Sequence, residues 1–114
     1  MDSGLLPLAP AALHILLALS GEERHGYGIM QEIARQSEGR YKLGPGTLYD
    51  NLQKLLKLGV VEETWPKSAD GDERRRYYRL TRLGRGVLAA EIQRLEGVIR
   101  TARTNLRRPA AGRA

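Results

Sequence analysis

The sequence holds 114 residues, one domain's worth of chain with room for one modest core. It has no Cys and only two His, His14 and His25, which excludes a disulfide scaffold, a thiolate metal site, a Cys nucleophile and a His-rich metal centre; no cofactor is expected. The net charge of +6 is unevenly placed: residues 1–72 carry 7 basic and 10 acidic groups, residues 73–114 carry 12 basic and 3 acidic, and those 12 are all Arg. Arg offers a planar fork of donors that suits phosphate oxygens and guanine edges, so the second half points to a polyanion, with nucleic acid first.

In chain order, the apolar run Leu5–Leu19 is interrupted by Pro7, Pro10 and His14 and lacks a preceding Lys or Arg. It is too short to span a bilayer and lacks the basic start of a signal peptide, so it reads as a buried helix of a cytoplasmic protein with no membrane partner. That first helix is predicted over Pro10–Leu19, with Pro in the first turn and Ser20-Gly21 as its end. Its apolar residues cover most of the circumference, which calls for cover on several sides and gives a first sign of a second subunit.

A second helix is predicted from His25 or Gly26 to Ser37, with Ile29, Met30 and Ile33 inward and Glu32, Arg35 and Gln36 in water. A third runs from Pro45 to Leu58 and stops at Gly59; Leu48, Leu52 and Leu55 form its buried face. Gly46, Asp50, Gln53, Lys54 and Lys57 point the other way, with Thr47 and Tyr49 on the flanks. Two strands follow, Val60–Trp65 and Arg74–Leu80, joined through Asp70-Gly71 as a hairpin. Thr81 then caps a last helix over Arg82–Leu106, 25 residues or roughly 37 Å long. Leu88, Ile92, Leu95, Ile99, Ala102 and Leu106 recur at alternating steps of four and three, the seam of a coiled coil. That seam needs a partner. Residues 107–114 lack periodicity and read as a disordered basic tail.

Three helices followed by a basic hairpin give the expected fold: mainly α with a β-hairpin, a winged helix-turn-helix over residues 1–81, and a C-terminal dimerisation helix over 82–106. In that architecture the third helix enters the major groove and the wing lies along the phosphates. Candidate DNA contacts are therefore Thr47, Tyr49, Asp50, Gln53, Lys54 and Lys57, with Arg74, Arg75 and Arg76 on the wing. Candidate dimer contacts are Leu13, Leu16, Leu17, Leu88, Ile92, Leu95, Ile99 and Leu106. Tyr49 could instead pack against the wing. His25 reads as a helix cap or packed side chain, and His14 as a satisfied core or interface histidine. Trp65 reads as wing packing; the alternative is stacking on a drug in the central cavity of a dimer, against which stands that no other aromatic lies near it in sequence. No catalytic constellation has a plausible spacing, and Gly44-Pro45-Gly46-Thr47 lacks the Lys of a P-loop, so no enzyme is expected. The competing reading is a winged-helix protein–protein adaptor, which would not need an Arg-rich wing.

Three stretches carry a family resemblance: His25-Gly26-Tyr27-Gly28-Ile29, Gly44-Pro45-Gly46-Thr47-Leu48-Tyr49, and Arg76-Tyr77-Tyr78-Arg79-Leu80-Thr81-Arg82-Leu83-Gly84. Together, in this order, they resemble the PadR family of bacterial transcriptional regulators, over residues 13 to about 100. The single C-terminal helix resembles the smaller PadR subgroup. The resemblance implies a homodimeric repressor with an N-terminal winged helix and a C-terminal dimerisation helix; two third helices in a twofold dimer then predict an inverted-repeat operator in double-stranded DNA, and a cytoplasmic protein at the nucleoid. The resemblance also implies a small-molecule effector, since members respond to phenolic acids, drugs or other compounds, while some have no known ligand.

Overall fold

The computed structural model describes residues 5–65 and 76–109. Its elements are α1 (Pro10–Leu19), β1 (Arg24–His25), α2 (Gly26–Gln36), α3 (Pro45–Leu58), β2 (Val61–Thr64), β3 (Tyr77–Leu80) and α4 (Arg82–Arg107). The chain is mainly helical, with a small antiparallel sheet in the order β1-β3-β2. This is a winged-helix arrangement with a long C-terminal helix.

Local chemistry accounts for the helix limits. Pro10 and Pro45 occupy first turns, where a missing N–H is harmless. The His25 ring accepts from the Gly28 N–H at 3.0 Å and so caps α2, as expected. Thr81 Oγ1 accepts from the Gly84 N–H at 3.0 Å and caps α4. Gly59 ends α3 at φ 79°, in the left-handed region that favours glycine. The Gly59 and Val60 N–H groups then donate back to Leu56 O and Leu55 O.

One core unites these elements. Ile15, Leu16 and Leu19 of α1, Ile29 and Ile33 of α2, and Leu48, Leu52 and Leu55 of α3 are buried. Val61, Tyr78 and Leu80 of the sheet and Val87 and Leu88 of α4 close it. The backbone of α4 approaches Val60 so closely at Gly84 that a Cβ there would land on the Val60 carbonyl oxygen.

Several expectations are corrected. β1 was not expected; it pairs with β3 through Arg24↔Tyr78 and His25↔Tyr77, so the wing sheet has three strands. The strands are shorter than predicted, and α2 ends one residue earlier, at Gln36. The hairpin turn at Asp70-Gly71, with Arg74 and Arg75, lies outside the described residues, as does the tail from 110. Arg107, assigned to that tail, is helical. His14 stacks on Tyr41 at 4.3 Å between ring centroids, yet its buried Nδ1 has no hydrogen-bond partner, so it is packed without being satisfied.

Glu32, expected in water, is buried. It accepts from Arg35 Nε at 2.9 Å and from Gln36 at 2.8 Å, and pairs with Arg24 of β1 at 3.7 Å. The Arg35 hydrogen bond, with Gln36 and Arg24 behind it, outweighs burial and lowers the Glu32 carboxyl from 4.5 to about 2. A carboxylate depressed in the fold stabilises it fully above its ordinary value, and this is lost as pH falls towards the lowered one. Urea unfolding of Glu32→Gln should therefore show a flatter loss of stability than the parent between pH 4.5 and about 2. An unchanged slope would show that Glu32 has no such part.

Glu91 of α4 is the second buried acid, at 1% exposure. It accepts from Arg94 Nε at 2.7 Å and from the Leu8 N–H at 3.1 Å, tying the chain ahead of α1 to α4. These bonds, Arg94 foremost, hold its carboxyl below the usual range against the effect of burial.

Candidate nucleic-acid interface

α3 presents two chemically distinct faces because Leu48, Leu52 and Leu55 anchor one of them in the core. On the other, Thr47, Asp50, Gln53, Lys54 and Lys57 are exposed. Among the described residues, the side chains of Asp50, Gln53, Lys54 and Lys57 make no hydrogen bond or ion pair. Gly44, the N-cap, offers no side chain to the first turn, so the N–H groups of Gly46 and Thr47 carry the positive end of the helix dipole without a side-chain cap. The result is an open polar face with free donors, two cations and one acid.

Tyr49 is placed differently from the others. Its hydroxyl end rests on the α2 backbone: a Cβ at Gly26 would land on the Tyr49 oxygen. The ring thereby lines a groove of about 680 Å³ between α3 and the wing, and remains 45% exposed. Gln53 lines the same groove from α3, with Glu63, Trp65, Arg76 and Tyr78 from the wing and Tyr27 from α2. Tyr27, Tyr49, Trp65 and Tyr78 thus line one groove, without a stacked or edge-on ring pair among them. They come from four separate stretches of chain, so proximity in sequence carried no signal. Burial pushes the Tyr78 phenol up.

The wing is less purely basic than its Arg run suggests. Arg76 is exposed but lies 3.4 Å from Glu63, and Arg79 donates to Glu62 at 2.7 Å. Strand register explains the second pair, since Glu62 stands directly opposite Arg79. The acids of β2 were readable in the sequence; their cross-strand partners required the register.

The candidate dimer contacts divide into two groups. Leu16 and Leu88 are buried within the chain's own core, at 0% and 5% exposure. Leu13, Leu17 and Leu95 are half-buried, while Ile92, Ile99 and Leu106 are exposed along α4. The available seam thus lies on α4 beyond Glu91, with Leu13 and Leu17 as the only α1 candidates left open. Among the described residues no helix is long and apolar enough to cross a membrane.

A three-helix unit with a wing, a long C-terminal helix and an unpartnered polar face on its third helix defines a winged-helix regulator. The chain belongs to the transcriptional regulator PadR-like family, which matches residues 15–90. This is a family of transcriptional regulators and not of enzymes. A transcriptional regulator of Mycobacterium tuberculosis is 36% identical over 92 residues, 81% of this chain and 81% of its own length. The PadR-like transcriptional regulator of Bacillus cereus superposes with a TM-score of 0.72 at 24% identity, covering 96% of this chain and 98% of that one. Bacillus subtilis PadR, solved in complex with operator DNA, gives a TM-score of 0.65 at 21% identity, over 75% of this chain and 47% of that one. At these identities the two structural likenesses speak for the fold.

Proposed function

We propose that this regulator acts as a homodimeric repressor that binds an inverted-repeat operator, with α3 in the major groove and the wing on the phosphates. The observation that carries the reading is the unpartnered polar face of α3 beside an Arg-bearing wing. The operator complex of Bacillus subtilis PadR supports it by likeness of fold. Residues 1–81 form the DNA-binding unit in this reading, and 82–106 the dimerisation helix. The partner would place the protein on the nucleoid, in the cytoplasm. Relief by a small-molecule effector belongs to the same proposal. A compound that both raises the melting temperature and releases DNA would support that part, and a compound library yielding none would count against it.

Within the interface, Gln53 has the donor–acceptor pair for adenine, Lys54 can donate to guanine or a phosphate, and Asp50 can accept from cytosine. Thr47 and the free N–H groups of the first turn suit a phosphate, and Lys57 extends the cationic side. Tyr49 offers a hydroxyl from the groove wall. Gln53→Ala and Lys54→Ala should each weaken specific binding by about 1–3 kcal/mol if they pair with base edges. Mobility shifts on DNA selected from a random pool test this directly. Absence of any shifted complex would favour the adaptor reading.

The wing residues Arg74, Arg75 and Arg76 should supply affinity without sequence choice. Changing all three to Ala should weaken every duplex by a similar factor and flatten the log–log salt dependence by about 0.9 per lost phosphate contact. The Glu63 pairing of Arg76 lowers what that residue alone contributes. An altered sequence preference with an intact salt slope would contradict this division of labour.

A further inference from the structure

The wing accounts for only part of the Arg excess. Beyond Leu95 the helix α4 carries Arg100, Arg103 and Arg107, followed by Arg108, against a single acid, Glu96. All four Arg are exposed, and none makes an ion pair among the described residues. Helix stability explains only part of them: Arg100 stands four residues after Glu96 and Arg107 lies in the last turn, but Arg103 and Arg108 gain nothing of the kind. Arg100/Arg103 and Arg103/Arg107 are like-charge pairs at spacings that disfavour a helix, and the C-terminal dipole rewards a cation only in the last turn. Nor does pairing with the same stretch of a second copy explain them, because each subunit brings four Arg and one Glu to it.

Arg100, Arg103 and Arg107 fall within about 60° of arc at 3.6 residues per turn, beside the Ile99–Ala102–Leu106 seam and clear of it. Thr104 stands within the next ~40° of arc and adds a hydroxyl donor. The stripe runs for about 10 Å, and it begins about 14 Å of helix beyond Glu91, the last buried residue of α4. It lies beyond the part of α4 that packs on the chain's own core, and the surface around it is lined by α4 residues, with none from α3 or the wing among the described residues. A row of guanidinium forks with one hydroxyl donor and one acid suits a polymer with closely spaced phosphates, and duplex DNA presents one charge per roughly 1.7 Å of axis.

We propose that the C-terminal half of α4 is a second, sequence-neutral site for duplex DNA, so that one dimer holds two duplexes. Only the placing of the first duplex rests on the function proposed above. The test loads the full-length protein on an immobilised duplex bearing a selected site and measures capture of a labelled random 24-bp duplex from solution. Wild type should capture it. The triple change Arg100→Gln, Arg103→Gln, Arg107→Gln should load the first duplex equally and lose the capture, with a salt slope for random duplex lower by about 0.9 per lost contact. Equal capture by wild type and variant, or no capture by wild type, overturns the proposal. So does displacement of the labelled duplex by poly-glutamate as readily as by DNA at equal charge, which would assign the stripe to an acidic protein. The two readings fail separately. If the combined Gln53→Ala, Lys54→Ala, Arg76→Ala protein binds the selected duplex like wild type while the α4 triple change still loses the capture, the α3 reading fails and the α4 site stands.

Discussion

Gly84→Ala is expected to destabilise the protein by about 2–3 kcal/mol or more, as overpacking against an unyielding neighbour does. The obstacle is the Val60 carbonyl oxygen, which is backbone and also accepts the Thr81 N–H at 3.1 Å. Moving it would break the junction that carries the chain from the sheet into α4. Gly86, two residues on, has nothing within 4 Å of where its Cβ would be. Gly86→Ala should therefore gain up to about 1 kcal/mol from helix propensity alone. Opposite signs at two glycines of one helix make a strict comparison. Denaturant unfolding at a fixed protein concentration checks it, and equal effects at both sites would contradict the close approach.

The second large effect is expected at Leu95→Asp. In the proposed dimer Leu95 lies in the middle of the open seam Ile92, Leu95, Ile99 and Leu106, and an unpaired carboxylate buried there should cost several kcal/mol of association, on the order of the penalty for burying a charge. The wild type should sediment as a dimer at micromolar concentration and the variant as a monomer. DNA affinity should fall with it, since each half-site contact would then be made alone. Leu16 and Leu88 give no such test, because both are inside the chain's own core and their replacement would unfold the subunit. A wild-type monomer at that concentration would end the dimer reading.

The helices were legible because each has its own punctuation and period: Pro10 and Pro45 at starts, Gly59 at an end, and Leu48-Leu52-Leu55 repeating at helical spacing. The polar face of α3 followed from the same period. β1 was not legible, since two residues carry no alternation and Arg24–His25 becomes a strand only because β3 lies beside it. The buried acids were hidden for a related reason. Glu32 looks solvated until Arg24 is folded back onto it, and Glu91 meets the Leu8 N–H across 83 residues. The groove beside Tyr49 is also assembled from distant segments, as is the pairing of Arg76 with Glu63. Local pattern reveals elements and faces; what pairs across them depends on register and packing.

The most direct test of the central claim, that α3 reads DNA as one of a symmetric pair, is a footprint of the full-length protein on a duplex selected from random sequence. Two such helices in a twofold dimer meet successive major grooves about 34–36 Å apart. The predicted result is protection of an inverted repeat with half-sites about one helical turn apart, lost in the Ala variants of Thr47, Tyr49, Gln53 and Lys54. Protection of a single half-site per dimer, or an unchanged footprint in those variants, would contradict it.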